Sequence, residues 1–182
     1  MADSSINDFY ECLSASHAAE DLPFWKHCYL KAFPTMVGMF SHRKDGDPQR
    51  SGIDRSIILE SSKQITIDEK VRFRNKKTGM VYEDIALERW SDLDRHKPGW
   101  IVKPLLCDYI AYAIAPLGRC YLLPVLQLQA VWIANAEEWE HRRPLDARNN
   151  GYVTRSYPVT PAELFPLIGA MLRISFDPVE DM

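Results

Sequence analysis

The first forty residues of the chain carry apolar side chains at helical spacing. Their period near 3.6 residues predicts helical structure through residues 6–42, with a second helix over residues 25–32. Pro23 is placed to open this second helix, because proline suits the first helical turn, and Pro34 interrupts it. We therefore predict a helical N-terminal region, followed by a loop over the polar residues 41–48.

A block rich in strands follows, with short turns between its segments. Residues 53–60 have an isoleucine-rich centre between polar ends, and residues 64–74 alternate between polar and apolar side chains. Residues 75–79 have the composition of a turn, and residues 80–90 are predicted as a strand that returns alongside the second one. The pattern predicts a meander of about three antiparallel strands.

The C-terminal half combines helical patterns with one short strand. Residues 105–113 suit a helix and residues 119–123 a strand, while the amphipathic residues 124–141 mark a longer helix. The polar residues 146–157 are predicted as a loop. Thr160-Pro161-Ala162-Glu163 resembles a capping box with proline at the first helical position, so a terminal helix should follow.

The order of these elements is typical of an α/β or α+β protein in which helices flank a mixed sheet. The chain has 182 residues, which is enough for one domain with a substantial core. It contains neither an internal repeat nor a linker by composition. We therefore predict a single domain over residues 1–182.

Composition limits the classes of function. Apolar residues make up 46% and charged residues 26% of the chain, which is ordinary for a soluble folded protein. The formal net charge is −3, so a nucleic-acid partner would need a local patch or a bound metal. The four cysteines form no CxxC pair. The chain has no signal-peptide pattern and no apolar run of ~18 residues, which predicts a cytoplasmic protein with no membrane span.

The strand predicted over residues 64–74 carries the most informative polar residues. Its apolar face includes one glutamate: Ile65, Ile67, Glu69, Val71 and Phe73. Its polar face consists of Thr66, Asp68, Lys70, Arg72 and Arg74. The Cβ atoms of Asp68 and Lys70 should be about 7 Å apart, because a strand rises ~3.3 Å per residue. A neighbouring strand that brings Asp54 to the same place would gather two carboxylates and a lysine.

These side chains suit the hydrolysis of a phosphodiester. Mg²⁺ binds hard oxygen ligands and takes one or two carboxylates together with waters. Asp54 and Asp68 supply that number, and the backbone carbonyl of Glu69 is a further candidate ligand. Lys70 is expected to position the attacking water or to stabilise developing charge, because nearby carboxylates oppose the low pKa that a lysine base needs. We predict catalytic roles for Asp54, Asp68 and Lys70.

The chain resembles the PD-(D/E)XK nuclease superfamily, which includes type II restriction endonucleases, in two short motifs: Gly52-Ile53-Asp54 and Asp68-Glu69-Lys70. In that family an acid at a strand start precedes (D/E)-x-K on the next strand. The resemblance implies a restriction endonuclease-like αβββαβ core, Mg²⁺ as cofactor with Mn²⁺ as a substitute, and DNA as the substrate. It covers about residues 45–88, and no proline precedes Asp54. Many members dimerise to cut two strands, so a homodimer is left open.

Other charged residues are secondary candidates. We expect the returning strand to place Asp84 opposite Lys70, with Glu88 nearby on the same face. Arg72 and Lys103 are candidates for contact with DNA phosphates. Some superfamily members add an acid from the first helix, for which this chain offers Glu11, Glu20 and Asp21.

Two alternatives stay open for the same residues. Asp54, Asp68 and Lys70 could form a solvated strand face with a cross-strand ion pair. Alternatively, the protein could be a non-cleaving nuclease-fold module, in which the same face binds nucleic acid or inhibits a partner protein. A weaker alternative is metal-dependent hydrolysis of RNA or of a nucleotide.

Overall fold

The fold is described for residues 18–42, 51–76 and 78–180 of a computed structural model. The helices are α1 (Phe24–Ala32), α2 (Val125–Glu140) and α3 (Pro161–Ile168). The first five strands are β1 (Met36–Ser41), β2 (Arg55–Leu59), β3 (Gln64–Arg72), β4 (Ile85–Asp92) and β5 (Lys97–Pro98). The others are β6 (Tyr109–Ile114), β7 (Arg119–Pro124), β8 (Leu145–Asn149), β9 (Tyr152–Val159) and β10 (Leu172–Ser175).

The strands form two sheets. A six-stranded sheet has the order β1-β2-β3-β6-β7-β10, and a four-stranded sheet has the order β5-β4-β9-β8. Strands β3 and β6 run parallel, whereas the other neighbours in the six-stranded sheet are antiparallel. The fold is therefore a mixed α+β architecture, as the element pattern predicts.

Both faces of the centre of the six-stranded sheet are buried, whereas its edge strand β1 is partly exposed. One face packs against α1, where Trp25, Cys28 and Tyr29 are enclosed. The other face packs against the four-stranded sheet together with α2 and α3. Strand β6 lies between these two cores, which explains why its sequence is apolar almost throughout and lacks alternation.

Several predicted elements are wrong, and burial on both faces explains one of them, strand β6. Residues 36–41 form strand β1 rather than helix, and residues 109–114 form strand β6 rather than helix. A buried apolar run has no period that separates strand from helix. The predicted loop over residues 146–157 is instead the β8–β9 hairpin, and residues 172–175 add strand β10.

The returning strand also differs from its prediction. It begins at Ile85 and pairs with β5 and β9 in the four-stranded sheet, not with β3. The place beside β3 belongs to β6. The predicted turn over residues 75–79 does form around a hydrogen bond from Asn75 N to Met80 O of 2.9 Å, but the chain then leaves the sheet. The three-stranded meander is consequently β1–β2–β3.

Several elements are confirmed. Strands β2, β3 and β7 and helix α2 lie where the pattern places them. Helix α3 begins with the predicted capping box, in which Thr160 and Glu163 exchange hydrogen bonds. Of the predicted N-terminal helices and the loop over 41–48, residues 6–17 and 43–48 lie outside the described residues. No helix in the described ranges has the length and apolar content that crossing a membrane requires.

Candidate functional site

The β2–β3 hairpin brings Asp54 next to Asp68. Asp54 stands immediately before β2, and its backbone N donates to Ile67 O at 2.9 Å. One of its carboxylate oxygens, Oδ2, accepts a hydrogen bond of 2.8 Å from the backbone N of Glu69. The Asp54 carboxyl group is close enough to Asp68 to help raise the pKa of Asp68. The predicted pair of carboxylates is therefore present on one face of the sheet.

Asp68 is a buried acid with a perturbed pKa. The residue is only 3% exposed. Burial raises the pKa of Asp68 to about 6, and the Asp54 carboxylate adds to this rise while Lys70 opposes it. Two neighbouring carboxylates with little water around them repel each other when both are ionised. A divalent cation between them would relieve that repulsion.

Lys70 lies beside Asp68, as the strand alternation predicts. Its Nζ forms an ion pair with Asp68 Oδ1 and lies 3.5 Å from the backbone carbonyl of Glu69. Burial lowers the pKa of Lys70, but the carboxylates of Asp68 and Asp54 outweigh this and hold it above its ordinary value. Lys70 is therefore protonated at neutral pH, which suits charge stabilisation and not general-base catalysis.

Gly52 leaves space in front of Asp68. Its φ of +75° lies in the left-handed region that favours glycine. A Cβ at this position would lie 2.6 Å from Leu105 Cδ2 and 4.0 Å from Asp68 Oδ2. The glycine therefore lets the loop before β2 pack closely against the chain that leads into β6.

Glu69 presents only its backbone to this face. Its side chain points to the opposite face of the sheet and is enclosed beneath α1, where it pairs with Arg55. The backbone carbonyl lies on the side of Lys70, so the predicted ligand role remains with that carbonyl alone.

Glu88 approaches the candidate site from the second sheet. Its Oε1 accepts a hydrogen bond of 3.3 Å from Trp100 N, in a turn where a Cβ on Gly99 would lie 2.3 Å from Glu88 O. Burial raises the pKa of Glu88, and the charge of Lys70 opposes this rise. Glu88 is thus near Lys70, as expected. It lies on β4 of the other sheet, however, and not on a strand that forms a hairpin with β3.

Of the other predicted residues, Arg72 is held by another group and Glu20 lies on the far face, whereas Lys103 is close enough to Glu88 for its charge to oppose the rise in the pKa of that acid. Arg72 forms an ion pair with Asp84 and its side chain is 16% exposed, so it holds the end of β3 to the chain before β4. The backbone carbonyl of Lys103 accepts a hydrogen bond of 2.9 Å from Gln129 Nε2. Glu20 lies on the far face, where its carbonyl accepts from Arg55, and Glu11 is outside the described residues.

The donor set suits a hard cation with few protein ligands. Across the described ranges, no three His, Cys, Asp or Glu side chains converge on one point as a metal-ligand group. Asp54, Asp68 and the Glu69 carbonyl are nevertheless oxygen donors in the small number that Mg²⁺ takes from proteins. Comparisons of the chain with protein-family models, with curated proteins and with solved structures find no match. We therefore infer the function from the geometry of the site.

Proposed function

We propose that this protein is a Mg²⁺-dependent deoxyribonuclease that hydrolyses phosphodiester bonds in DNA. The observation that carries the proposal is a buried Asp68 held between a second carboxylate, Asp54, and the ammonium group of Lys70. An ion pair that only keeps the protein soluble needs no second carboxylate. A second carboxylate beside the buried Asp68 repels it and is costly.

The proposed fold is the restriction endonuclease-like αβββαβ core. Helix α1 is followed by the antiparallel strands β1, β2 and β3, with Asp54 at the start of β2 and the Asp-x-Lys motif on β3. This arrangement supports the resemblance in the sequence. The connection from β3 to β6 departs from it, because it contains β4 and β5 where the family core has a helix.

Asp54, Asp68 and the carbonyl of Glu69 would hold the cation. When bound, Mg²⁺ supplies charge neutralisation and polarises the phosphoryl group. Lys70 contacts one oxygen of Asp68, Oδ1, which leaves Oδ2 as the Asp68 ligand for the cation. Lys70 then stabilises the charge that develops on the phosphate. The Glu88 carboxylate attracts the ammonium group of Lys70 electrostatically, so Glu88 would interact with this group together with Asp68.

Cleavage assays test this function directly. Purified protein is incubated with linear, supercoiled and branched DNA, with and without Mg²⁺ or Mn²⁺. We expect metal-dependent cleavage that Asp68→Asn abolishes. Asp146→Asn is the matched control, because Asp146 pairs with Arg155 on the four-stranded sheet, away from the site. Failure of the wild-type protein on every DNA, or full activity of Asp68→Asn, would refute the proposal.

A second candidate function is a non-cleaving nuclease-fold module that binds nucleic acid or inhibits a partner protein. The contact between Lys70 and Asp68 favours it, because a lysine can replace the cation permanently. Calorimetry separates the two functions. A nuclease should bind Mg²⁺ through Asp54 and Asp68, whereas the module should bind DNA or protein with no heat of metal binding. RNA in the cleavage assay tests the remaining substrate, and sedimentation tests a homodimer.

A further inference from the structure

A buried charged cluster lies behind the candidate site, on the α1 face of the six-stranded sheet. Arg55 Nε donates to Glu69 Oε1 at 2.5 Å, and Arg55 Nη2 donates to Glu69 Oε2 at 3.0 Å. Tyr29 of α1 donates its hydroxyl to Glu69 Oε1 at 2.6 Å. The side chains of Arg55 and Glu69 are only 8% and 2% exposed. We call Arg55, Glu69 and Tyr29 the rear clamp.

The rear clamp and the site share the same two strand segments. Arg55 follows Asp54, and Glu69 lies between Asp68 and Lys70. Successive residues of a strand point to opposite faces of the sheet. The side chains of Arg55 and Glu69 therefore lie on the α1 face, while their sequence neighbours Asp54, Asp68 and Lys70 form the site on the other face. Glu69 also donates its backbone N to Asp54 Oδ2 at 2.8 Å. One residue therefore holds the Asp54–Arg55 dipeptide through both its side chain and its backbone.

Stability alone is a poor reason for such a cluster. Taking two charges out of water is expensive, and apolar side chains of similar volume often give an equally stable protein. The best-attested use of a buried ion pair is to fix one register among several. Here the register matters, because a slip of one residue between β2 and β3 would move the neighbouring acid to the other face.

We propose that Arg55 and Glu69 are positioning residues, which set the separation of the Asp54 and Asp68 carboxylates and thereby the affinity of the site for a divalent cation. The inference rests on the proposed metal site. Tyr29 extends the clamp to α1, so the docking of this helix supports the same geometry.

The test compares two double variants. Arg55→Met with Glu69→Met removes the ion pair without leaving one charge unpaired. Arg155→Met with Asp146→Met removes a similar two-point pair, with both distances 2.7 Å, between β8 and β9 of the other sheet. Denaturation curves first identify a temperature at which each variant is folded. Mn²⁺ binding is then titrated by calorimetry, alongside Asp68→Asn.

We expect the clamp variant to bind Mn²⁺ about 10-fold more weakly or worse, as is usual when the groups that orient metal ligands are removed. The control pair should leave the affinity unchanged. A folded clamp variant with wild-type affinity would overturn the inference and leave the metal site intact. Absence of Mn²⁺ binding by the wild-type protein would instead overturn the metal site itself, and the inference with it.

Two milder variants keep the test decisive if the double variant does not fold. Arg55→Lys keeps the buried charge but loses the two-point contact, and Tyr29→Phe removes one hydroxyl. Both should weaken Mn²⁺ binding, and Arg55→Lys more strongly. If both lower thermal stability while the Mn²⁺ affinity stays at the wild-type value, the clamp is only structural and the inference is wrong.

Discussion

Replacing Asp68 by asparagine should stabilise the metal-free protein at alkaline pH. Asparagine has nearly the same shape as a protonated aspartate, so the variant reports what ionisation of Asp68 costs the folded state. Burial raises the pKa of Asp68 from its ordinary 3.8 to about 6. The native state therefore holds this proton more tightly than the unfolded chain does.

The sign and size of the effect follow from this difference. Well below pH ~4 both states are protonated, and ionisation costs nothing. Between pH ~4 and ~6 the unfolded chain loses its proton first, so the stability of the wild-type protein falls as pH rises. Above pH ~6 the loss is constant at about 3 kcal/mol, since one pKa unit corresponds to ~1.36 kcal/mol. Asp68→Asn should regain up to this amount.

Thermal denaturation with EDTA at several pH values measures the effect. For a chain of this length, ~3 kcal/mol corresponds to a rise in Tm of about 6–12 °C at pH 8. The gain should become small near pH 4. Asp146→Asn is a control of opposite sign, because its partner Arg155 lowers the pKa of Asp146 and the substitution should lower stability at pH 8.

Addition of Mg²⁺ gives the second half of this experiment. Saturating Mg²⁺ should raise the Tm of the wild-type protein and leave that of Asp68→Asn almost unchanged, because a ligand stabilises only the state that binds it. A destabilised Asp68→Asn at pH 8, or a gain of equal size at pH 4 and pH 8, would refute the reasoning about the buried carboxylate.

Three further predictions concern the same site. Mn²⁺ affinity should fall about 10-fold from pH 8 to pH 5, because protons compete with the cation for Asp68 at one unit below its pKa of about 6. An Mn²⁺ affinity that does not change with pH would contradict this. Lys70→Met should bind Mn²⁺ at least as tightly as the wild-type protein in calorimetry, yet its rate of DNA cleavage in a gel assay should be lower by about 10²-fold or more. A wild-type rate of cleavage would exclude charge stabilisation by Lys70. Gly52→Ala should lower both Tm and Mn²⁺ affinity, because its Cβ would lie 2.6 Å from Leu105. Gly79 shares the positive φ, but a Cβ there meets nothing within 4 Å, so Gly79→Ala should lower Tm alone. Equal Mn²⁺ affinities of the two variants would show that Gly52 does not shape the site.

The hairpin of the candidate site was predictable because its information is local. The alternation over residues 64–74 assigns the faces of β3, and a short turn fixes its antiparallel partner. The approach of Glu88 could not be derived in this way, because β4 joins a second sheet through pairings with β9, far away in the sequence. Strand β6 was missed because burial on both faces removes the polar positions on which periodicity depends.

The rear clamp did leave a signal in the sequence. Glu69 interrupts the apolar face of an otherwise alternating strand, and a charged residue at a core position needs a buried partner. The preceding strand offers Arg55 at its start, on the same face of the sheet. The sequence therefore indicates Arg55 as the buried partner of Glu69.

The β2–β3 hairpin also has a consequence for how the protein folds. Arg55 and Glu69 are only 14 residues apart in the sequence. The parallel pairing of β3 with β6 closes a longer loop, and so does the contact that brings Glu88 near Lys70. Short loops close at lower entropic cost and form sooner. We expect the hairpin to be among the first units to take shape, so that two carboxylates, a lysine and their rear support are assembled together before the rest of the core encloses them.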